Sequence, residues 1–256
     1  MNSTSGKRGE AVLNLPRTRA ADAALWQEHN YTEALSSDVH ARLQAVGRRA
    51  FLAPAICGKA GATTSGGVGV VTAAHVGHGA PALLDKSILD AGRLVVRHLR
   101  GMIPGGIMCG SIYAPVLRSV EGRAAHDALL LKLSRYLANV NRRFIVGGDW
   151  NCTPADLCDS SIPARLQATV VFGKDATCFS RTQSGLVSRV LDHFLVSDCL
   201  FPLVQAVDVW DVCIKPHLAV MLEIRGFAVL EKVRAPLGAP PLPVERPFGP
   251  DETFES

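Results

Sequence analysis

Asp149 and Asn151 lie two residues apart, directly after an apolar run and two glycines. Residues 144–146 predict a short buried strand, and Gly147 and Gly148 allow a tight turn at its end. A carboxylate and an amide at the end of a strand can both point into the cleft where a packed sheet meets its loops. Such a pair suits hydrolysis of an ester, because the carboxylate can transfer a proton while the amide stabilises developing negative charge. A strand that ends in an ordinary polar turn is the alternative explanation.

Two further polar side chains follow predicted strands. Glu28 comes after the apolar run at residues 21–26, and a carboxylate at the mouth of a buried strand is costly unless it is paired or hydrated. This makes Glu28 a candidate metal ligand. The local sequence alone favours the simpler interpretation that Glu28 lies at an exposed strand end. Tyr113 follows the predicted strand at residues 107–112. Its hydroxyl group could meet a phosphate, or it could be a core tyrosine with one hydrogen bond.

Asp192 and His217 are a candidate hydrogen-bonded pair. Residues 188–197 predict a strand with Asp192 in its middle, and a buried acid of this kind usually has a partner. His217 begins the predicted final strand and is the candidate for that partner. A carboxylate that binds an imidazole fixes its tautomer and raises its basicity, which hydrolases use to charge a histidine beside a phosphate.

The elements that would position these residues alternate along the chain. Apolar residues at intervals of three and four predict helices at residues 32–49 and 121–140. Apolar or alternating runs predict strands at residues 51–56, 67–72, 93–99 and 107–112. This alternation is typical of an α/β fold in which helices cover the faces of a sheet. The first helix is expected to bury Leu35, Val39, Leu43 and Val46 on one face.

Three connecting segments carry their own signals. Residues 58–67 are rich in Gly, Thr and Ser but lack the order of a phosphate-binding loop, so a hairpin is predicted there. Residues 156–167 are expected to hold a short helix, and residues 170–188 a loop with a possible hairpin. The Pro-rich residues 227–256 predict a flexible tail after a domain at residues 1–226.

Composition bounds the class of protein. The chain has 256 residues, 48% of them hydrophobic, and a net charge of +4, which permits a polyanionic partner without requiring one. Seven irregularly spaced cysteines without a Cys-x-x-Cys pair predict free thiols and an intracellular protein, nuclear or cytoplasmic. No apolar run approaches the ~20 residues of a membrane span, so no membrane partner is expected.

Five of these motifs occur in the order found in the endonuclease/exonuclease/phosphatase superfamily, which the chain resembles over residues 2–225. The superfamily includes abasic-site endonucleases, DNase I, inositol polyphosphate phosphatases and the endonuclease domains of LINE-type retrotransposons. The resemblance implies a DNase I-like, four-layer α/β sandwich of two packed mixed β-sheets flanked by helices. The motifs are Gln27-Glu28, Tyr113-Ala114-Pro115, Gly148-Asp149-Trp150-Asn151, Ser188 to Asp192, and His217-Leu218-Ala219-Val220.

The resemblance implies a metal site. Glu28 matches the metal-binding glutamate of the superfamily, and Asn2 an asparagine beside the metal, although the strand that normally leads into it is absent. The metal is expected to be Mg²⁺ or Mn²⁺, because both prefer hard carboxylate oxygens. Superfamily members usually have Ser-Asp-His where this chain has Lys215-Pro216-His217. Because proline cannot ligate, this departure predicts weaker metal binding or a metal held by Glu28 alone. Together with the absent first strand, it leaves a decayed or truncated copy as an alternative.

The remaining roles implied by the resemblance are catalytic. Tyr113 matches the tyrosine that contacts the scissile phosphate, and Asn151 the amide that stabilises the transition state. Asp149 matches the acid that activates water or protonates the leaving oxygen, and Asp192 and His217 match the dyad. The implied reaction is in-line hydrolysis of a phosphoester with metal assistance.

The substrate is inferred by analogy. Trp150, the richness in Arg and Ala, and the Pro-rich tail are similar to retroelement endonuclease domains, which predicts a monomer acting on DNA. Arg118, Arg181 and Arg189 are the candidate phosphate contacts. A phosphatase acting on inositol phosphates or phospholipids is the second hypothesis. The third is an inert superfamily member that binds nucleic acid or a protein.

Overall fold

A computed structural model describes residues 10–11, 14–57, 64–79, 92–182, 185–211 and 216–226. The candidate metal ligand Asn2 and the predicted tail at residues 227–256 lie outside these residues. Among the described residues, no helix is both long and apolar enough to cross a membrane. The cysteines described are free thiols.

A six-stranded mixed sheet forms the centre of the fold. Its strands lie in the order β10 (Ala168–Val171), β13 (Asp192–Ser197), β9 (Phe144–Asp149), β8 (Ile107–Tyr113), β7 (Leu94–Arg100) and β6 (Gly77–Gly79). The β8 and β9 strands are parallel, and every other neighbouring pair in this sheet is antiparallel. The parallel pair needs a crossover connection, and a long helix supplies it.

The second sheet lies against one face of the first. It contains β1 (Ala23–Gln27), β5 (Val68–Ala73) and β2 (Arg48–Ala53), with β5 in the middle and both pairs antiparallel. A separate antiparallel pair, β14 (Val204–Trp210) and β15 (Ala219–Ile224), covers the same face. The β1 strand lies over β8 and β9, whereas β15 lies over β13. Two short hairpins complete the strands: β3 (Ile56–Cys57) with β4 (Thr64–Ser65), and β11 (Cys178–Thr182) with β12 (Gly185–Arg189).

Helices cover the outer faces of the two sheets. The long α3 helix (Val120–Val140) buries Leu130, Leu133 and Leu137 against the large sheet, and α2 (Glu33–Ala45) buries Val39 and Leu43 against the small one. The order of helix, sheet, sheet and helix is the predicted four-layer α/β sandwich. The short helices are α1 (Pro16–Ala20), α4 (Pro154–Asp159) and α5 (Ile162–Leu166).

The strand predicted at residues 51–56 is β2, which covers Arg48–Ala53, and the boundaries predicted for two helices were also wrong. The predicted helix at residues 32–49 ends at Ala45, because Gly47 adopts a left-handed conformation (φ +73°) and β2 begins at the next residue. Val46 lies beyond this end and is 50% exposed, and Leu35, in the first turn of the helix, is 47% exposed; both were expected to be buried. The predicted helix at residues 156–167 is two short helices, interrupted where Ser161 has a φ of +61°.

The predicted strand at residues 188–197 is two strands, and the break decides where Asp192 lies. The hairpin expected in residues 170–188 is confirmed and extends to Arg189, after which β13 begins at Asp192. The backbone N–H groups of Leu191 and Asp192 donate to the hydroxyl oxygen of Thr177, each at 3.0 Å. Asp192 is therefore the first residue of its strand and not a residue in the middle of one.

Candidate active site

Strand register brings three of the candidate side chains together at one edge of the large sheet. In the parallel pair β8 and β9, Tyr113 is in register with Asp149. In the antiparallel pair β9 and β13, Asp149 is in register with Asp192. Neighbouring strands lie about 4.8 Å apart, so residues in register are direct neighbours. Both aspartates are buried.

His217 completes this group from the segment before β15. Its Nδ1–H donates to Asp192 Oδ2 at 2.8 Å, and its Nε2 lies 3.7 Å from Asp149 Oδ2. Backbone hydrogen bonds hold the segment: Leu218 N donates to Thr177 O at 2.7 Å, and Phe179 N donates to Pro216 O at 3.0 Å. The imidazole is thus fixed between two carboxylates.

Thr177 links both halves of this group and was missed from the sequence. Its side chain is fully buried, and its hydroxyl group receives the N–H of Asp192 while its carbonyl receives the N–H of Leu218. One residue therefore fixes the backbone beside both members of the Asp192–His217 pair. A single threonine in a predicted loop carries no sequence signal for this contact.

Burial and mutual repulsion raise the pKa of Asp149 to about 7. Burial is the largest cause, and the charge of Asp192 adds to it, whereas His217 acts in the opposite direction. Burial alone would lower the pKa of His217, but the hydrogen bond and charge of Asp192, with the charges of Asp149 and Glu28, raise it to about 9. Near neutral pH the imidazole therefore favours its protonated form, and Asp149 keeps its proton to a higher pH than an ordinary aspartate does.

These shifts predict that the metal-free protein loses stability as the pH rises. Folding raises the pKa of Asp149 from 3.8 to about 7, so the folded state binds more protons than the unfolded state between those values. Folding raises the pKa of His217 from 6.5 to about 9, so its stabilising contribution is complete below pH 6.5 and is lost as the pH rises through 9. Both groups act in the same direction.

We expect the urea midpoint of the protein in chelator to fall from pH 5 to pH 9, and to fall less in an Asp149→Asn variant. The variant lacks one of the two titrating groups and otherwise keeps the shape of the side chain. Equal pH slopes for wild type and variant would show that Asp149 does not titrate in this range.

Asn151 turns its amide back towards Asp149. Its backbone is left-handed, with a φ of +50°, and its N–H donates to Asp149 Oδ1 at 2.9 Å. The side-chain Nδ2 donates to Ala114 O at 2.8 Å and lies 3.3 Å from Asp149 Oδ2. The strained backbone therefore places an amide donor beside the carboxylate.

Trp150, between these two residues, anchors the loop that carries Asp149 and Asn151 in the core. Its indole ring is fully buried and stacks on the His193 ring, with centroids 5.4 Å apart, and its Nε1–H donates to His193 O at 2.8 Å. Its backbone N–H donates to Leu191 O at 2.9 Å, and its carbonyl accepts from His126 Nε2 at 3.0 Å. His126 lies on α3 and gave no sequence signal, because a helical histidine among apolar residues is common.

Glu28 and Tyr113 meet on the side of the site nearest the small sheet. Glu28 follows β1 with a φ of +51°, and the Tyr113 hydroxyl group hydrogen-bonds its carboxylate. Burial, followed by this hydrogen bond, holds the pKa of Tyr113 well above its usual value. The guanidinium carbon of Arg93 lies 4.5 Å from the centre of the Tyr113 ring, a cation–π contact. Arg93 was also missed from the sequence, where it is one of many scattered arginines.

The donor atoms of this site suit a hard divalent cation. Asp149, Asp192 and His217 offer ligand-type atoms that all lie within 4.8 Å of one another, and the charge of Glu28 also acts on Asp149 and His217. Three carboxylates around one imidazole leave an excess of negative charge. His217 is protonated and bound to Asp192, and the raised pKa of Asp149 favours a proton on its carboxyl group, so the carboxylate of Glu28 is the donor that fits Mg²⁺ or Mn²⁺. Pro216 contributes a carbonyl to the backbone of Phe179 and no side-chain ligand.

The candidate phosphate contacts surround this edge of the sheet. Arg181 and Arg189 are exposed on the β11–β12 hairpin, whose Cys178 pairs with His217 in an isolated β-bridge. Arg118 is exposed in the loop that follows Tyr113. Six candidate site residues thus lie around one edge of the sandwich: Glu28, Tyr113, Asp149, Asn151, Asp192 and His217.

Comparisons with known proteins identify the fold. No protein-family model and no curated protein matches the chain. Among solved structures, a 3′-5′ exonuclease from Neisseria meningitidis superimposes with a TM-score of 0.59 at 20% identity, over 85% of this chain and 94% of that one. The endonuclease domain of TRAS1, a telomere-specific non-LTR retrotransposon, gives 0.60 at 16% identity over 88% and 94%. The AP endonuclease from Leishmania major gives 0.68 at 16% over 86% and 83%. The chain therefore has the fold of the endonuclease/exonuclease/phosphatase superfamily, as the order of its motifs predicted.

Proposed function

We propose that the chain is a metal-dependent phosphodiesterase that hydrolyses DNA by attack of an activated water. The observation that carries the proposal is the Asp149–His217–Asp192 group, in which a carboxylate with a pKa of about 7 lies 3.7 Å from an imidazole held in one orientation. Catalytic acids and bases work best when their pKa is close to the operating pH. Strongly perturbed pKa values cluster at functional sites, because catalytic groups need a pKa that is matched to their task.

Asp149 is the proton-transferring group of this mechanism. Near neutral pH both of its protonation states are populated, so it can accept a proton from water or return one to the leaving oxygen. The N–H of Asn151 holds Asp149 Oδ1 in a fixed direction, which leaves Oδ2 facing His217. The carboxylate is therefore oriented before a substrate arrives.

The other site residues stabilise charge on the phosphate. His217 keeps its proton because Asp192 receives Nδ1–H, so its Nε2–H can donate to a phosphoryl oxygen. The amide of Asn151 and the hydroxyl group of Tyr113 are further donors beside the carboxylates. Asp192 acts through His217 and is a positioning residue.

Glu28 is the residue that would hold the metal ion. A bound Mg²⁺ or Mn²⁺ would neutralise negative charge on the phosphate during hydrolysis. Without it, three carboxylates would repel a polyanionic substrate from the site.

DNA is the proposed substrate because the site has exposed arginines around it. Arg181 and Arg189 lie on the hairpin beside His217, and Arg93 stacks on Tyr113. Among similar structures, a Neisseria 3′ phosphatase is bound to a product DNA hairpin and a D. rerio TDP2 is complexed with a single-strand DNA product. The retroelement type is part of the proposal and is supported by the similarity to the TRAS1 domain.

An inert DNA-binding protein is the second candidate, and Pro216 is the observation that favours it. By the resemblance, superfamily members usually have an acid at this position, whereas Pro216 offers no side-chain ligand to the site. Such a protein would bind DNA through the same arginines without cleaving it.

Nicking of supercoiled plasmid tests the proposal. We expect relaxed circles to accumulate with Mg²⁺ or Mn²⁺ and not with chelator. The absence of nicking by protein that binds DNA in a gel-shift assay would support the inert candidate. Gain of nicking in a Pro216→Asp variant would then locate the defect at that position. Absence of both binding and nicking would overturn both candidates.

A further inference from the structure

Glu28 needs support that its own strand does not provide. The register between β1 and β5 ends at the Gln27–Val68 pair, and the next residue, Glu28, has a left-handed backbone with a φ of +51°. Asn30 is also left-handed, with a φ of +58°. Such conformations are unfavourable for a non-glycine residue and persist where the surroundings impose them. The contacts that hold the backbone of residues 28–30 therefore also determine the direction of the Glu28 side chain.

The turn before β5 holds the segment by its backbone. His29 N donates to Gly67 O at 3.3 Å, and Asn30 N donates to Gly66 O at 3.2 Å. The same turn is fixed from its other side, where Gly67 N donates to Gly92 O at 3.0 Å. Gly66 and Gly67 belong to the Gly-rich segment at residues 58–67, which has no role in the proposed chemistry.

His29 completes the contact with its side chain. The ring is almost fully buried, Nε2–H donates to Val68 O at 3.3 Å, and Nδ1 accepts from Tyr31 N at 3.0 Å. Both nitrogens are used, which fixes the tautomer and the ring plane. The ring also stacks on Tyr31, with centroids 5.4 Å apart.

Gly67 makes room for this ring. A Cβ atom at Gly67 would lie 2.6 Å from Cε1 and 2.7 Å from Nδ1 of His29, which is closer than atoms can approach. The glycine is also left-handed, with a φ of +85°. The ring and the glycine are therefore a matched pair, and neither can change without moving the segment that carries Glu28.

We propose that His29 and Gly67 form a bracket that positions Glu28, and that His29 is a positioning residue for the metal ion. The inference rests on the proposed function, since it assigns the ion to Glu28. The bracket also reaches the phosphate side of the site, because Gly92 precedes Arg93, which stacks on Tyr113, and Tyr113 hydrogen-bonds Glu28. Metal binding and phosphate contact thus share one backbone support.

Gly67→Ala tests the bracket, and Gly101→Ala is its matched control. Gly101 has the same φ of +85°, but a Cβ atom there would meet nothing within 4 Å. Both variants carry the backbone strain of alanine at this angle, and only Gly67→Ala collides with His29. We expect the Kd for Mn²⁺, measured by electron paramagnetic resonance, to rise about 10–100-fold in Gly67→Ala and to stay at the wild-type value in Gly101→Ala.

A double-mutant cycle identifies His29 as the partner. His29→Ala removes the ring that the alanine would strike, so the Gly67→Ala substitution should add little to the Kd of a His29→Ala protein. His29→Phe keeps the ring shape and loses both hydrogen bonds, and it should also weaken Mn²⁺ binding. This variant serves if Gly67→Ala does not fold. Wild-type Mn²⁺ affinity in a folded Gly67→Ala or His29→Phe protein would overturn the inference.

Glu28→Gln separates the bracket from the function on which it rests. If Glu28→Gln leaves the Mn²⁺ affinity unchanged, the ion is not at Glu28, and the metal assignment of the proposed function fails together with the inference. If Glu28→Gln weakens binding while the bracket variants do not, the inference fails alone.

Discussion

Asp149→Asn is expected to slow plasmid nicking by about 10²–10⁴-fold, the usual contribution of a general acid or base. The amide has the shape of the carboxylate and can still accept the N–H of Asn151, but it cannot exchange a proton. The rate should fall without a change in the affinity for DNA. Single-turnover nicking at saturating protein measures this rate directly.

Asp198→Asn is the matched control for this prediction. Asp198 is exposed just beyond the far end of β13 and accepts a hydrogen bond from the Thr169 hydroxyl group at 2.8 Å. The same change of one carboxylate to an amide should there leave nicking intact. Rapid nicking by Asp149→Asn would mean that another group transfers the proton.

Stability measured on the same protein distinguishes lost chemistry from lost structure. The raised pKa of Asp149 means that its ionised form is unfavourable in the folded state, through burial and the charge of Asp192. At pH 8 in chelator we therefore expect the asparagine variant to unfold at a higher urea concentration than the wild type. Loss of activity with a gain in stability is typical of a catalytic residue.

The site residues that could be predicted from the sequence are those whose position depends on their immediate neighbours in the chain. Asp149 and Asn151 follow an apolar run and two glycines, so their position at a strand end depended on neighbouring residues alone. The tight turn predicted at Gly147 and Gly148 was wrong, because both glycines lie within β9, which ends at Asp149. Residues whose contribution is a contact with a distant segment could not be found in this way. Thr177 acts through Asp192 and Leu218, and Arg93 through Tyr113, and a threonine or an arginine in a loop is too common to signal either contact.

Contacts with distant segments also explain the errors in the predicted helices and strands. The spacing of Leu35 and Val46 fits a helical face, but the helix covers a sheet of three strands and buries only its middle. Asp192 was expected within a strand because apolar residues lie on both sides of it, at residues 190–191 and 194–196. The break before it exists because a distant hydroxyl group, that of Thr177, takes the two N–H groups at that point. Tertiary contacts overrode local pattern in both cases.

Trp150→Ala is expected to lower the free energy of unfolding by about 3–5 kcal/mol, the range for removing a buried aromatic side chain. The ring is fully buried, and the indole N–H and both backbone polar groups are hydrogen-bonded, so the substitution leaves a cavity and an unpaired carbonyl at His193. Urea unfolding followed by circular dichroism measures the loss. Nicking by the fraction that remains folded should also fall, because Trp150 joins Asp149 to Asn151 and their relative position depends on it.

His193→Phe separates the packing of this anchor from its hydrogen bond. Neither ring nitrogen of His193 has a hydrogen-bond partner among the described residues, and burial lowers the pKa of its ring to about 3. Phenylalanine keeps the stack on Trp150, and the backbone carbonyl can still accept the indole N–H. Because a buried polar group without a partner costs about 1–3 kcal/mol, this variant should be as stable as the wild type or more stable. A large loss of stability in His193→Phe would show that the imidazole has a partner, and that the anchor of the catalytic loop depends on the ring as well as on the carbonyl.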